Sequence, residues 1–273
     1  TWSLMLAFGA ALGGFTTALF GWQTAIVVDS LTFVASALLL TKLRLPPSAA
    51  VRRTGPLTWK EYTGVADLIE GSKYVLGHGR VAALLLVKSG WALSGGILVL
   101  LTVFGEQVLT AGGEGGGSGI LYSSRGLGAA MGPILAWRFL GESSRAMYRS
   151  IGLSFFVASS AYLLVSQAPT LLWAAPLVMA GHLGGSVQWV FSTNLLQRQV
   201  PDQFRGRVFA AEMALLTLIL SLSTYLTGTA LAAGIEPRRV MIGLALLFLL
   251  PGTCWGVYVW QREREEEQEI LNQ

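Results

Sequence analysis

The 273-residue sequence contains little charge and almost no cysteine. Only 12% of its residues are charged, against about 25% in an average soluble domain, which excludes an ordinary water-soluble fold. The single cysteine, Cys254, rules out an intramolecular disulfide. The motifs HExxH, GxSxG and CxxC are also missing, so the sequence predicts neither an enzyme nor a bound metal or cofactor.

Long apolar runs take the place of the missing charge. Hydrophobic residues make up 53% of the chain, and its mean hydropathy is +0.57. A membrane-spanning helix needs roughly 20 apolar residues, and eight segments come close to or exceed this length: 2–20, 22–42, 81–104, 117–140, 150–166, 170–195, 207–231 and 238–260. They predict an all-α fold, a polytopic bundle of about eight transmembrane helices in a lipid bilayer. The first segment lacks an initiator Met and the features of a signal peptide, so we expect the chain to begin inside a membrane helix, as a fragment would.

The distribution of cations predicts the orientation. Apart from Lys88 and Arg125, which lie deep within segments, fifteen Lys and Arg residues lie in connectors, segment ends and the tail on one side of the predicted membrane, and only Arg238 and Arg239 lie on the other. By the positive-inside rule this cation-rich side is cytoplasmic. It includes the C-terminal tail, so we expect a cytoplasmic C-terminus on a protein of the plasma membrane. Because the net charge of +4 arises from topology, the sequence does not point to a nucleic-acid partner.

The longest connector covers residues 43–80. It begins with a stretch of Pro, Ser and Arg that is typical of a flexible linker. Further on, apolar and basic residues recur at three- and four-residue spacing: Trp59, Tyr62, Ala66, Ile69 and Lys73. This spacing predicts a helix, either lying on the inner membrane surface or solvated as a linker.

One lysine, Lys88, lies inside the segment 81–104. It follows Arg80 by eight residues, or about 12 Å along a helix, and an ionisable group at such a depth costs at least ~2.5 kcal/mol. This cost predicts that Lys88 faces a polar cavity or a partner. Alternatively, its long side chain could reach back to the lipid headgroups.

Two of the predicted helices carry a stripe of polar side chains along one face. The aligned residues are His182, Ser186, Trp189 and Thr193 in the segment 170–195, and Lys88, Trp91, Gly95 and Thr102 in the segment 81–104. Such stripes are typical of a transport pathway, and Pro176 could break its helix near one. Hydrogen bonding between helices without any pathway is the alternative.

Three other charged residues lie within apolar segments: Asp29, Arg125 and Glu212. Glu212 lies at nearly the same depth as Lys88, so we predict an ion pair between them, because opposite charges lower each other's cost. Asp29 and Arg125 lie about 10–12 Å from the opposite face. They could relay protons or simply neutralise one another.

Three GxxxG pairs predict close helix packing: Gly9–Gly13, Gly128–Gly132 and Gly181–Gly185. For any single pair the alternative is that glycine is common in membrane helices.

Three stretches resemble the major facilitator superfamily of transporters, in particular the efflux branch that includes the enterobactin exporter and macrolide efflux proteins. They are GAALGGFTTALFGWQTAIVVDSLTFVASALLL (9–40), DLIEGSKYVLGHGRVAALLL (67–86) and NLLQRQVPDQFRGRVFA (194–210), the last being similar to the VPDxxRGRV signature. The loop WRFLGESSR (137–145) departs from the family's basic motif, since Glu142 stands where Asp is usual. A gating role is therefore not carried over to that loop.

The resemblance implies a division of the chain. Residues 1–42 would be the last two helices of the N-terminal half, 43–80 the cytoplasmic connector with its interfacial helix, 81–260 the six-helix C-terminal half, and 261–273 a cytoplasmic tail. The chain would thus be the C-terminal part of a major-facilitator fold without its first four helices. The family's two halves rock about a central site, and the helices that line it correspond to the two with polar stripes.

The implied function is secondary active transport, with efflux of a small amphipathic molecule such as a drug, siderophore or metabolite. Protons are the expected coupling ion, because histidine has the ordinary pKa closest to neutral and His182 lies near the midplane. A proton and a cationic or amphipathic substrate could then compete for one cavity. The alternative for His182 is a structural hydrogen bond, and the alternatives for the chain are a membrane scaffold or receptor, or a fragment without activity.

The short, basic loop from Arg198 to Arg207 carries Asp202, Arg205 and Arg207. We expect its cations to bind carboxylates or helix C-termini of the neighbouring half in one conformer only, which would make it a cytoplasmic gate. The alternative is a plain positive-inside anchor.

Overall fold

The structure is a computed structural model that describes residues 2–42, 59, 64–110, 115–141 and 143–271. These ranges are helical and contain no strand. The helices are α1 (Trp2–Leu40), α2 (Val65–Gly77), α3 (Gly79–Ala92), α4 (Ile97–Val103), α5 (Gly116–Leu140), α6 (Ser144–Gln167), α7 (Leu171–Gln199), α8 (Asp202–Ala232), α9 (Pro237–Leu247) and α10 (Leu249–Leu271), and a π-helical turn at Phe104–Val108 follows α4.

Helix α1 changes direction at Gly21, where the turn between the first two apolar segments is predicted. Gly21 has φ of 81° and ψ of 163°, which a residue without a Cβ adopts readily. The helix lies against α5. The most apolar stretch within Leu19–Leu40 has no buried residue, so its large side chains are available to lipid or to other protein.

The eight predicted apolar segments are mainly helical, and two of them, 81–104 and 238–260, are each divided between two helices. Among the described residues, five stretches are long and apolar enough to cross a membrane: Leu19–Leu40, Gly79–Val108, Ser144–Gln167, Asp202–Ala232 and Pro237–Gln268. Helices α5 and α7, of 25 and 29 residues, are also long enough to cross. They contain more glycine and polar residues, and they pack against each other.

Helix α7 is the central element, since it packs against α3, α5 and α6. The contact with α5 depends on Gly128 and Gly132. A Cβ on either glycine would collide with α7, with the carbonyl oxygen of Met179 in the first case and that of Leu183 in the second. The second predicted glycine pair therefore does bring two backbones together. The pair Gly9–Gly13 does not, because no atom of the described residues lies within 4 Å of the space beside either glycine.

The third glycine pair makes room for aromatic rings instead of a helix backbone. A Cβ on Gly181 would meet the ring of Tyr162 on α6, and a Cβ on Gly185 would meet the ring of Trp91 on α3. Both rings consequently approach the same face of α7, on either side of His182.

The helix break lies at a different place from the one expected. Pro176 is accommodated inside α7, which continues without interruption. The break occurs between α3 and α4, at Leu93–Gly96. There the hydroxyl of Ser223 on α8 accepts a hydrogen bond from the Gly96 N–H at 3.0 Å and donates one to the Leu93 carbonyl at 2.7 Å. Backbone groups freed inside a membrane bundle need such partners.

Within the connector 43–80, the described helix α2 docks on α8. Gly71 and Val75 are buried, and a Cβ on Gly71 would collide with the backbone of Arg207. Tyr74 stacks on Phe204 with a centroid separation of 4.5 Å. The helix therefore differs from a solvated linker, and it packs on protein along one face. Residues 43–58 and Tyr62, also part of the predicted connector, lie outside the described residues.

Candidate functional site

Lys88 and Glu212 form a buried ion pair in the structure. The Lys88 Nζ donates hydrogen bonds to Glu212 Oε2 and to Thr193 Oγ1, each at 2.8 Å. The lysine side chain is 2% exposed and the glutamate 0%. The ammonium group also lies 4.6 Å from the centroid of the Trp189 ring. We call these four residues the Lys88 cluster.

Three helices build the Lys88 cluster: α3 carries the lysine, α7 the threonine and tryptophan, and α8 the glutamate. The pairing is the one expected from the matching depths of Lys88 and Glu212. Glu212 Oε1 has no hydrogen-bond partner among the described residues. The carboxylate thus keeps a free acceptor inside the bundle, where an unpaired polar atom is unfavourable.

A second polar cluster surrounds His182. The Arg125 Nε donates a hydrogen bond to His182 Nε2 at 3.0 Å, and the Tyr162 hydroxyl lies 2.6 Å from His182 Nδ1. The Trp91 ring meets the imidazole edge-on, with centroids 5.8 Å apart. We call these four residues the His182 cluster. His182 is buried, whereas Arg125 and Trp91 are half-buried.

The hydrogen bond from Arg125 determines the protonation of His182 in this structure. An arginine nitrogen can only donate, so Nε2 must be the unprotonated nitrogen of a neutral imidazole. The single ring proton then sits on Nδ1, next to the Tyr162 hydroxyl. If the imidazole took up a second proton, Nε2 would become a donor, and the bond from Arg125 would be lost.

The close contact of α5 with α7 explains the position of Arg125. The two helices run in the same direction where they touch, since Gly128 meets Met179 and Gly132 meets Leu183. From this contact the long Arg125 side chain reaches His182 on α7. The clusters are separate along α7, since His182 and Thr193 are eleven residues, or about 16 Å, apart.

The structure places Arg125 beside His182, and Lys88 turns toward α8. Asp29 does not neutralise Arg125: it is exposed on α1 and makes no ion pair with the described residues. Ser186, on the same stripe, donates to the Leu183 carbonyl of its own helix at 3.1 Å.

The structure places Asp202, Arg205 and Arg207 in the first two turns of α8 and not in a loop. Arg205 pairs with Asp202 at 2.7 Å and donates to the Gln197 carbonyl at the end of α7 at 3.0 Å. Arg207 pairs with two acids of α2, Asp67 at 3.0 Å and Glu70 at 2.9 Å. These partners lie on α2, α7 and α8, and not on α1, so binding to the neighbouring half stays a prediction. Glu142 of the 137–145 loop lies outside the described residues.

Two residues of these sites are absent from the sequence-based prediction, Tyr162 and Ser223. Each lies among other hydroxyl-bearing residues with no charged residue nearby, so neither stands out by composition. Gly181 gave an indirect signal for Tyr162, because a glycine on a helix face makes room for a large neighbour.

Buried charges joined across apolar helices define an integral membrane protein with polar sites inside its bundle. The family profile of the Major Facilitator Superfamily matches residues 1–224, and the chain belongs to this superfamily. The chain is also similar to the uncharacterized MFS-type transporter YkuC of Bacillus subtilis (strain 168), with 32% identity over 87 residues. That match covers 30% of this chain and 20% of the relative. No solved structure matches the chain.

Proposed function

We propose that the protein is a secondary active transporter that moves a small amphipathic molecule by alternating access, with proton-coupled efflux. Membership of the superfamily and polar clusters inside an apolar bundle support this function. The pathway would be lined by Lys88, Trp91, His182, Ser186, Trp189 and Thr193, with Asp29, Arg125 and Glu212 as the other intramembrane charges. The inner gate would be Asp202, Arg205 and Arg207, on the cytoplasmic side of the plasma membrane.

The hydrogen bond from Arg125 to His182 carries the coupling proposal. The imidazole is neutral while Arg125 donates to it, and protonation would place two cations at 3.0 Å or force them apart. Arg125 is on α5 and His182 is on α7. Protonation of His182 therefore favours an arrangement of α5 and α7 that differs from the one in this structure. A proton can drive alternating access in this way because it binds the two arrangements unequally.

Transport by reconstituted proteoliposomes tests the proposal. Two permanently charged probes, 1-naphthalenesulfonate and (1-naphthylmethyl)trimethylammonium, would be followed with and without an interior-acid pH gradient, and protein-free vesicles give the baseline. The variant is His182→Gln. The matched control is His78→Gln, since the chain has two histidines and His78 is exposed between α2 and α3.

We expect the gradient to drive uptake of a probe by the native and His78→Gln proteins and not by His182→Gln. Retained gradient-driven uptake in His182→Gln would remove His182 from the coupling mechanism. A native protein that transports a probe without responding to the gradient would exclude proton coupling. No transport of either probe would favour a scaffold, a receptor or an inactive fragment.

A further inference from the structure

Arg125 carries an uncompensated charge inside the bundle. Lys88, the other cation within the membrane-spanning part that the structure describes, is paired with Glu212 at 2.8 Å. The side-chain contacts of Arg125 are with the neutral His182 and, at 5.8 Å, with the ring of Tyr122. No carboxylate of the described residues lies within ion-pair distance of it. An imidazole accepts a hydrogen bond but supplies no negative charge, so the site remains positive.

The geometry leaves one edge of the guanidinium group available. The bond to His182 uses Nε, and the two Nη groups have no acceptor among the described residues. Together they can give two parallel hydrogen bonds to one oxygen-bearing anion, such as a carboxylate, a sulfonate or a phosphate. The residue is half-buried, so its side chain is not sealed inside the bundle.

Aromatic surface lies beside this charge. The Trp91 ring is half-buried and packs edge-on against His182, and the half-buried Tyr122 ring faces Arg125. A cation next to partly exposed aromatic rings is suited to a ligand with an acidic group on a flat apolar body.

We propose that Arg125 binds the acidic group of the transported molecule, so that the substrate class is an organic anion with an aromatic or otherwise flat apolar body. This proposal rests on the transporter function and narrows its substrate. It does not depend on which ion drives transport.

Equilibrium dialysis with nanodiscs of phosphatidylcholine tests the proposal without requiring transport. The two naphthalene probes, the sulfonate and the quaternary ammonium, differ in the sign of a permanent charge. Their binding would be measured to the native chain and to Arg125→Gln, with empty nanodiscs as the baseline. Arg149→Gln is the matched control, because it removes an arginine that pairs with Glu263 on the exposed end of α6.

We expect saturable binding of the sulfonate to the native protein and to Arg149→Gln, weaker binding of the ammonium probe, and a loss of about tenfold or more of sulfonate affinity in Arg125→Gln. Equal sulfonate binding by the native and Arg125→Gln proteins would overturn the proposal. So would a native preference for the ammonium probe, or the absence of saturable sulfonate binding.

If Arg125→Gln does not fold, Arg125→Lys becomes the deciding variant. Lysine keeps the charge but not the planar pair of Nη donors, so sulfonate affinity should fall, and an unchanged affinity would contradict bidentate binding. Because binding is measured apart from transport, failure of proton-driven uptake does not affect this result. If the protein does not prefer the sulfonate probe, the substrate proposal is wrong but the proposed transporter function is unaffected.

Discussion

Lys88 and Glu212 carry opposite charges and pair at a depth in the membrane where either charge alone would be unfavourable. Both side chains are buried and their charged atoms are 2.8 Å apart. Replacing one partner strands the other as a buried charge, which typically costs ~3–5 kcal/mol. Replacing both leaves a cavity but no stranded charge.

A double-mutant cycle should therefore show strong coupling at this pair. We expect Lys88→Ala to lower the free energy of unfolding by about 3–5 kcal/mol, and Lys88→Ala with Glu212→Ala to cost less than the sum of the two single changes. Unfolding in mixed detergent micelles, followed by circular dichroism, measures these values.

A surface pair in the same protein provides the control cycle. Arg149 and Glu263 are also 2.8 Å apart, but the arginine side chain is 62% exposed. Their coupling should be about 1 kcal/mol or less, as for other exposed ion pairs. Additive losses at Lys88 and Glu212 would show that the buried pair contributes no more than separate side chains do.

At the residue scale, the Lys88 cluster and the His182 cluster show which contacts can be predicted from the sequence. Depth along a helix can be counted, since each residue adds about 1.5 Å, and this was enough to pair Lys88 with Glu212. The rotation of each helix about its axis depends on how neighbours pack, and counting does not give it. For this reason the contact between Arg125 and His182 was not predicted, although both residues were identified as lying within the membrane.

At the scale of elements, the same glycine pattern has three different outcomes. Gly128–Gly132 joins two backbones, Gly181–Gly185 receives two aromatic rings, and Gly9–Gly13 faces open space. The pattern supplies a smooth helix face, and the neighbour that occupies this face is determined by the rest of the bundle. The sequence therefore predicts where close packing is allowed, and the structure shows where it occurs.

Gly128→Ala should damage the bundle and Gly13→Ala should not. The new methyl group on residue 128 would collide with the Met179 carbonyl, whereas at residue 13 it would meet no atom of the described residues within 4 Å. Overpacking of this kind costs about 1–3 kcal/mol. We expect that loss for Gly128→Ala in detergent unfolding and an unchanged free energy for Gly13→Ala. Equal effects of the two substitutions would contradict the close α5–α7 contact.

The position of the helix break depends more on hydrogen-bond partners for the freed backbone groups than on the position of proline. Pro176 lies in the second turn of α7 and removes one intrahelical hydrogen bond, yet the helix continues through it. The pair Gly95–Gly96 lies deep in its segment, and there Ser223 supplies both a donor and an acceptor. The break could not be placed from the sequence, because Ser223 lies 127 residues from Gly96.

At the scale of the whole molecule, Ile235 and Gln268 are predicted to lie on opposite faces of the membrane. Ile235 follows Gly234 in the turn between α8 and α9 and is exposed, and Gln268 is exposed near the end of α10. The stretch Pro237–Gln268 has 32 residues. At helical rise it extends about 48 Å, which is more than the ~30 Å of the hydrocarbon layer.

This geometry gives a direct test of the predicted orientation by labelling single cysteines. Cys254 would first be replaced by serine, since it is exposed and is the one native thiol. In that background, Ile235→Cys should react with a membrane-impermeant maleimide in intact cells, because the cation-poor side is expected to face outward. Gln268→Cys should react only after permeabilisation, because the tail lies on the cation-rich side. Labelling of Gln268→Cys alone in intact cells would mean that the protein has the opposite orientation, and labelling of both would mean that the stretch Pro237–Gln268 does not cross the membrane.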